Sequence, residues 1–249
     1  MNRLKATRLK ALLFDKDGTL VDFAITWNGA AASVLATLAG EDDALHARLA
    51  DILHFDRDTR AIRSSSPFIG GTIVDIAAEF APTIGIASDD AFVRRLEQLF
   101  NAGALASVAP IGDPASLLTL LKAEGYLLGI VTNDTESGAR AQAGKLGLDH
   151  LFDAVIGYDS GHGRKPDPGQ IHAFLDAFGI APGEAALIGD TLHDLDAARA
   201  AGVLAVGVAS GYLSAEALAP HADHVIGSIM ALPELLNILD HEAAGGPAA

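Results

Sequence analysis

Two aspartates spaced two residues apart, Asp15 and Asp17, are the first candidate catalytic groups in this sequence. They directly follow the apolar run Ala11–Phe14, whose lack of polar alternation is typical of a strand buried on both faces of a parallel sheet. Ligands of such sheets bind just beyond the carboxyl ends of the strands. A carboxylate at this place can be a nucleophile that forms an aspartyl-phosphate, or an oxygen ligand of Mg²⁺. A turn that merely closes the strand is the simpler alternative.

Three more sets of polar residues follow later apolar segments of the chain. They are Thr132 with Asn133, then Lys165, and finally Asp190 with Asp194. Each set has a simpler explanation: helix capping for the first, a solvated turn for Lys165, and a first-turn acid favoured by the helix dipole for Asp194. If the segments before them are neighbouring parallel strands, however, all of these side chains meet at one edge of one sheet.

Such a set of groups could carry out phosphoryl transfer. Asp15 would attack phosphorus, while Mg²⁺ held by Asp15, Asp190 and the backbone carbonyl of Asp17 would neutralise the phosphate oxygens. Asp17 would protonate the leaving oxygen and then deprotonate the water that hydrolyses the aspartyl-phosphate. The transferring group would be held by the Thr132 hydroxyl, the Asn133 amide and the fixed positive charge of Lys165.

The elements that position these groups alternate between strand and helix from residue 109 onward. Tyr126–Val131, Phe152–Tyr158, Ala185–Ile188 and Leu204–Val208 are candidate strands, and helical segments separate them. Alternation of this kind implies a parallel sheet with right-handed crossovers. We therefore predict an α/β fold, a Rossmann-like parallel sheet with helices on both faces, formed by residues 1–21 and 109–249.

Residues 22–108 have helical rather than strand periodicity and are predicted to form a separate inserted domain. Four helices are expected there, the third ended by Pro82 and the fourth capped by Ser88. We find no convincing strand between them. After this insertion, Asp113 is expected to cap a helix that has Pro114 at its first position.

The motifs resemble those of the haloacid dehalogenase superfamily. The similarity covers the core from both ends of the chain and includes Asp15-Lys16-Asp17-Gly18-Thr19, Thr132-Asn133, Lys165-Pro166 and Gly189-Asp190-Thr191 with Asp194. In this resemblance Gly18, Thr19, Thr191 and Asp194 are supporting residues. The helical insertion directly after the first motif resembles the α-helical cap of the phosphoglycolate phosphatase-like branch.

The resemblance implies a Mg²⁺-dependent phosphatase that acts on a small phosphomonoester. Asp17 and Asp190 disfavour a dehalogenase, which shares the nucleophile but needs neither the acid/base carboxylate nor the metal. A phosphonatase would use a lysine of the cap, and Asp22–Ser107 contains none. A sugar-phosphate mutase similar to β-phosphoglucomutase remains open, as does a catalytically idle binding module on the same scaffold.

The segment 60–72 between two helices of the insertion is the candidate for substrate recognition. It combines Arg60 and Arg63 with three serines and a glycine pair, as expected of a loop that dips toward an anionic substrate. Arginine suits bidentate recognition of a carboxylate or a second phosphate, so a small phosphorylated acid such as phosphoglycolate is the leading candidate. A solvated loop between helices is the alternative.

Composition limits the partners further. The net charge of −15 disfavours nucleic-acid and anionic-membrane partners, which would require a basic face. The absence of cysteine excludes disulfides, zinc–thiolate sites and thiol nucleophiles, and is consistent with a cytoplasmic protein. The apolar run after the basic segment Met1–Lys10 is too short for a signal peptide. We expect a small-molecule substrate, no membrane partner, and a monomer or homodimer.

Overall fold

The structure is a computed structural model that describes residues 8–244, so the ends of the predicted core segments 1–21 and 109–249 lie outside the described residues. In chain order, the first half comprises β1 (Ala11–Phe14), α1 (Phe23–Ala39), α2 (Asp43–Ile52), β2 (Phe55–Asp56), β3 (Ala61–Ile62), α3 (Ile73–Thr83) and α4 (Asp90–Ser107). The second half comprises α5 (Pro114–Ala123), β4 (Leu127–Val131), α6 (Glu136–Lys145), β5 (Ala154–Ile156), α7 (Gly169–Phe178), β6 (Ala185–Gly189), α8 (Leu192–Ala201), β7 (Leu204–Val208), α9 (Ala215–Leu218), β8 (His224–Ile226) and α10 (Leu232–Ala243).

Six of the strands form one parallel sheet in the order β5-β4-β1-β6-β7-β8. The first strand of the chain is therefore central, and all four of its residues are fully buried. Leu12 and Phe14 face one hydrophobic cluster, which includes side chains of α5, α6 and α10. Ala11 and Leu13 face the other cluster, which includes side chains of α7 and α8. The predicted α/β fold, with a parallel sheet and helices on both faces, is confirmed.

The insertion has a hydrophobic cluster of its own. All the buried members of this cluster come from residues 23–104, and α1 packs along α4 at its centre. The cluster includes aromatic rings that contact one another: Phe23, Trp27, Phe68 and Phe100. This separate core supports the predicted boundaries at 21/22 and 108/109, which remain a prediction.

Local details of the insertion differ from the sequence-based expectations. A two-stranded antiparallel hairpin, β2 with β3, lies between α2 and α3 where no strand was expected. Each of its strands has only two residues, too few to show a two-residue periodicity. The third helix extends one residue past Pro82, and Asp89 rather than Ser88 caps α4. The expected cap at Asp113, with Pro114 at the first helical position, is confirmed.

Among residues 8–244, no helix combines the length and the apolar character needed to cross a membrane.

Candidate active site

The order of the strands brings the predicted polar residues together. β1 lies between β4 and β6, and Phe14 pairs with Ile130 on one side and Ile188 on the other. Because these strands are parallel and in register, their carboxyl ends meet at the same edge of the sheet. The residues that follow them, Asp15, Thr132 and Asp190, therefore converge as the sequence indicated.

Lys165 lies in the loop after β5 and is almost completely buried, with 4% of its surface exposed. Its ammonium group donates three hydrogen bonds: to Asp15 Oδ1 at 2.6 Å, to Asp194 Oδ1 at 2.5 Å and to the Val131 carbonyl at 2.9 Å. Burial alone would lower the pKa of Lys165, but the charges of Asp15 and Asp194 outweigh it and raise that pKa. Lys165 is therefore a fixed cation beside Asp15.

Asn133 holds Lys165 in place through its side chain. Its Oδ1 accepts a hydrogen bond from the Lys165 backbone N–H at 2.9 Å, and its Nδ2 donates to the Lys165 carbonyl at 2.9 Å. The same Nδ2 also donates to the carbonyl of Gly70, in the insertion, at 2.7 Å. Thr132, which is buried, accepts a hydrogen bond at its hydroxyl from the backbone N–H of Asp134. Helix capping does not explain Thr132 and Asn133, because Thr135 caps α6.

Asp194 has a double role at the start of α8. One of its oxygens accepts from Lys165, and the other accepts from both the hydroxyl and the backbone N–H of Thr191, which completes a capping box. Asp194 does lie in the first turn of α8, as the helix-dipole explanation requires, and the same carboxylate also holds the Lys165 ammonium. Asp194 orients the Lys165 ammonium, and Thr191 in turn orients the Asp194 carboxylate.

Three buried carboxylates, those of Asp15, Asp190 and Asp194, offer oxygens within 4.8 Å of one another. The pKa of the Asp15 carboxyl is raised to about 7, mainly by burial and also by the charges of Asp194 and Asp17, while Lys165 opposes the rise. Burial, with repulsion from Asp15 and Asp194, likewise raises the pKa of Asp190 well above its usual range. One lysine does not balance this much buried negative charge, so a cation would favour ionisation of the cluster.

The surroundings of Asp190 are suited to a bound divalent cation. A Cβ atom added to Gly18 or Gly211 would overlap the Asp190 carboxylate, so these glycines leave space that this carboxylate fills. Gly18 has φ +81°, a conformation in which a side chain is strained. The Thr19 hydroxyl lies 3.4 Å from Asp190 Oδ1. A buried site that offers only oxygen donors fits a hard cation such as Mg²⁺.

The Asp17 carboxylate lies at the edge of this cluster, on the side of the insertion. Its Oδ1 accepts a hydrogen bond from the Trp27 indole Nε1 at 2.6 Å, and its Oδ2 accepts from the Lys16 ammonium at 2.6 Å. Its side chain is therefore not one of the three that offer oxygens to a cation, and the backbone carbonyl of Asp17 remains a predicted metal ligand.

A cavity of about 50 Å³ lies between the sheet edge and the insertion. On the core side it is lined by the acids described above together with Thr132, Asn133 and Lys165. The insertion contributes apolar side chains and a glycine pair: Phe23, Trp27, Phe68, Ile69, Gly70, Gly71 and Ile73. Within residues 8–244, the basic side chains of this lining are those of Lys165 and His193, both from the core.

The structure does not bring Arg60 and Arg63 to this cavity. The Arg63 side chain is 61% exposed and pairs with Asp56 at 3.0 Å. Arg60 lines a different cavity, on the far side of the insertion beside Arg57 and Phe55. The hairpin holds both arginines, because it pairs Ala61 and Ile62 with Asp56 and Phe55, and the Arg63 N–H then donates to the His54 carbonyl. Within segment 60–72, residues 68–71 line this cavity, while residues 64–66 line a neighbouring cavity that shares Asp190, Thr191 and His193 with it.

Sequence reasoning did not single out several residues of the site. His193 donates from Nδ1 to the Gly70 carbonyl at 2.9 Å, and Arg164 donates to the Thr72 hydroxyl and to Asp75, both at 2.8 Å. Trp27 could have been predicted to lie near the site. It is the single tryptophan of the sequence, and it lies in α1, the first helix after the Asp15–Asp17 motif. Lys16 offered no such signal, because a lysine between two aspartates is ordinarily solvated.

Comparisons with known proteins agree with this geometry. Residues 12–208 match the family model described as haloacid dehalogenase-like hydrolase. A phosphoglycolate phosphatase from Rhodospirillum rubrum is 33% identical over 208 residues, which cover 82% of this chain and 80% of that protein. Another from Caulobacter vibrioides is 32% identical, covering 90% of this chain and 89% of that protein.

A solved structure has the same fold at lower sequence identity. A "predicted phosphoglycolate phosphatase" from Haemophilus somnus superposes with a TM-score of 0.69 at 20% identity, covering 92% of this chain and 98% of the other. The family match spans β1 to β7 and includes every core motif described above. The chain therefore belongs to the haloacid dehalogenase-like hydrolases, and its curated relatives in that family include phosphatases.

Proposed function

We propose that this protein is a Mg²⁺-dependent phosphatase that hydrolyses a small phosphomonoester through an aspartyl-phosphate on Asp15. The observation that carries the proposal is the contact between Asp15 and Lys165, two residues that line the cavity between the sheet edge and the insertion. One oxygen of Asp15 is bound to the fixed cation, which leaves the other oxygen available to attack phosphorus. Relatives named phosphoglycolate phosphatase support the choice of reaction.

Asp15 and Asp190, with the backbone carbonyl of Asp17, would hold the Mg²⁺. When bound, Mg²⁺ supplies the positive charge that keeps the carboxylates ionised and neutralises the phosphate oxygens. Ionisation matters because the nucleophile is the carboxylate, whereas burial raises the pKa of Asp15 to about 7. Lys165 acts in the same direction as the metal and is anchored by Asp194, Asn133 and the Val131 carbonyl.

The remaining residues bind the phosphoryl group and move protons. The Thr132 hydroxyl and the Asn133 backbone amide would donate hydrogen bonds to the transferring oxygens, where negative charge accumulates. As the bond from phosphorus to the leaving oxygen breaks, Asp17 gives its proton to that oxygen. It then takes a proton from the water that attacks the aspartyl-phosphate, which restores Asp15 and releases inorganic phosphate.

The insertion, residues 22–108, is proposed to act as a cap over this site. Gly70 supports this role, because its carbonyl accepts hydrogen bonds from both Asn133 and His193 of the core. A cavity of about 50 Å³ has room for a few water molecules, and therefore favours a compact substrate. Closure of such a cap excludes bulk water from the reacting phosphoryl group.

The leaving group would lie against the side of the cavity that the insertion lines. The relatives' names make phosphoglycolate the first substrate to assay. The cap side of the cavity is aromatic and aliphatic, however, so a carboxylate on the leaving group would depend on His193 and on backbone groups near Gly70 and Gly71. A sugar-phosphate mutase stays the alternative, and it differs in its product, an isomeric sugar phosphate instead of inorganic phosphate.

The test is an assay of inorganic phosphate release from phosphoglycolate and from an aryl phosphate, with Mg²⁺ and with a chelator. Asp15→Asn should lower turnover at least about a thousandfold, because loss of the covalent route costs several kcal/mol. Rapid quench with labelled substrate should show phosphate bound to the wild-type protein and none bound to Asp15→Asn. Turnover retained by Asp15→Asn would refute the assignment of the nucleophile.

A further inference from the structure

Lys16, the residue between the two aspartates of the first motif, is one of the most deeply buried polar residues in the chain, with 1% of its surface exposed. Its ammonium donates to Asp17 Oδ2 at 2.6 Å and to Gln142 Oε1 at 2.8 Å, and lies 3.3 Å from Asp134 Oδ2. It also lies 5.1 Å from the centre of the Trp27 ring. Lys16 does not line the cavity, so it acts through other residues.

The surroundings of Lys16 form a closed hydrogen-bonded network. Gln142 accepts from Lys16 and donates to Asp134 at 3.3 Å, while Asp134 also accepts from the Thr135 backbone at 2.7 Å. Removing a lysine from water is costly unless its hydrogen bonds are satisfied inside the protein, and this network satisfies them. The ammonium is thereby fixed to the first turns of α6, at a set place relative to the sheet.

Asp17 is consequently held from two directions. The core holds Oδ2 through Lys16, and the insertion holds Oδ1 through the Trp27 indole. Trp27 itself is packed by Phe68 at 5.3 Å and Phe23 at 6.5 Å between ring centres, so its N–H has little freedom to move. The two contacts together fix the direction in which the Asp17 carboxylate faces the cavity.

We propose that Lys16 and Trp27 are positioning residues for Asp17, and that they aim its carboxylate at the leaving oxygen of the substrate. The inference rests on the proposed function, in which Asp17 is the general acid and base. Neither residue needs to touch the phosphoryl group for this role. Their contribution should appear only in the steps in which Asp17 gives or takes a proton, which distinguishes them from residues that merely stabilise the fold. The first of these steps, protonation of the leaving oxygen, is the one that kcat/KM reports.

The experiment compares two phosphate esters that differ in their need for an acid. p-Nitrophenyl phosphate has a leaving group that departs as an anion, whereas 2-hydroxyethyl phosphate has an alkoxide that must be protonated. For Lys16→Met and for Trp27→Phe, we expect kcat/KM on the alkyl ester to fall by about tenfold or more. For Lys16→Met the aryl ester should change by no more than about threefold, since general acid catalysis contributes on the order of 10²–10⁴ where it is needed. Trp27 also lines the cavity, so for Trp27→Phe the alkyl ester should lose at least about threefold more than the aryl ester does.

Two controls separate positioning from loss of structure. Lys122→Met removes a lysine that pairs with Asp153 on the surface of the core, and should leave both rates unchanged. In an Asp17→Asn background, adding Lys16→Met should not lower the alkyl rate further, because the group through which Lys16 acts is already absent. If Lys16→Met does not fold, Trp27→Phe, which keeps an aromatic ring, still tests whether a contact to Asp17 is needed for protonation of the leaving oxygen.

Equal losses on both esters would overturn the inference, as would a further loss when Lys16→Met is added to Asp17→Asn. No loss in the folded variants would also overturn it. Failure of the proposed function would look different, because wild-type protein would then release phosphate from neither ester.

Discussion

The carbonyl oxygen of Gly70 accepts a hydrogen bond from His193 Nδ1 at 2.9 Å, across the boundary between the insertion and the core. The Asn133 side chain donates to the same oxygen at 2.7 Å. A Cβ atom on Gly70 would come within 2.7 Å of the His193 ring, so the two residues are in close packing contact as well. One carbonyl of the insertion is thus bound by residues that follow two different strands of the sheet.

From this contact we predict that His193→Ala weakens cap closure. Loss of one of the two hydrogen bonds to Gly70 should increase backbone hydrogen exchange in residues 68–73 and raise KM, because substrate binding must then supply the lost closure energy. Exchange within the sheet strands should not change. His172→Ala, on the exposed face of α7, is the matched control, and an equal response of the two variants would contradict the prediction.

The buried acids predict how stability depends on pH in metal-free protein. The pKa of Asp15 is about 7 in the folded protein against 3.8 for the free side chain, so its stabilising contribution is full below about pH 4 and is lost as the pH rises toward 7. In EDTA, the melting temperature should therefore decline more steeply between pH 5 and pH 8 for wild type than for Asp15→Asn. Added Mg²⁺ should raise Tm more at pH 8 than at pH 5. Parallel pH profiles of the two proteins would argue against the raised pKa.

Gly211 provides a test of the metal site that leaves the acids in place. A Cβ atom there would overlap the Asp190 carboxylate, so Gly211→Ala should displace Asp190 and weaken Mg²⁺ binding. The measurement is a Mg²⁺ titration followed by Tm, in which we expect the stabilisation by Mg²⁺ to shrink or vanish. Gly183→Ala, where an added Cβ meets nothing within 4 Å, should titrate as wild type. A normal titration of Gly211→Ala would show that Asp190 does not hold the metal.

Substitutions in segment 60–72 should separate the residues that line the cavity from those that do not. Phe68→Leu reshapes the apolar wall over the substrate and should change KM several-fold for small phosphate esters. Arg63→Ala removes an exposed ion pair with Asp56 and should leave KM unchanged for phosphoglycolate. A selective rise in KM for phosphoglycolate in Arg63→Ala would instead indicate that this arginine reaches the substrate.

The core of the site could be predicted because its information is local in the sequence. Asp15, Thr132 and Asp190 each follow an apolar strand directly, so the parallel arrangement of the strands is enough to bring them together. The placement of side chains in the insertion is harder to predict from the sequence, because the path of a loop depends on packing between residues that are distant in the chain. Arg63 is held by a hairpin of two-residue strands, which leaves no periodic signal.

Buried charge is the other feature that sequence patterns do not reveal. Lys16 lies between two aspartates, and its spacing gives no indication that Gln142 and Asp134, more than a hundred residues later, enclose its ammonium. The spacing of Asp17 likewise does not reveal its hydrogen bond with Trp27, because that contact depends on how α1 is oriented relative to the end of β1. Residue type and order predict which groups reach the edge of a sheet, but not which way a side chain turns there.

The central position of β1 has a consequence for the synthesis of the chain. Ala11 pairs with Leu127 and Ala185, so both neighbours of the first strand leave the ribosome long after it does. Until then four apolar residues that end fully buried have no partner, whereas the helices of residues 23–107 can already pack on one another. The nascent chain therefore passes through a stage in which the insertion is folded and the strand that precedes Asp15 is uncovered. That stage is the one most exposed to aggregation and to recognition by chaperones.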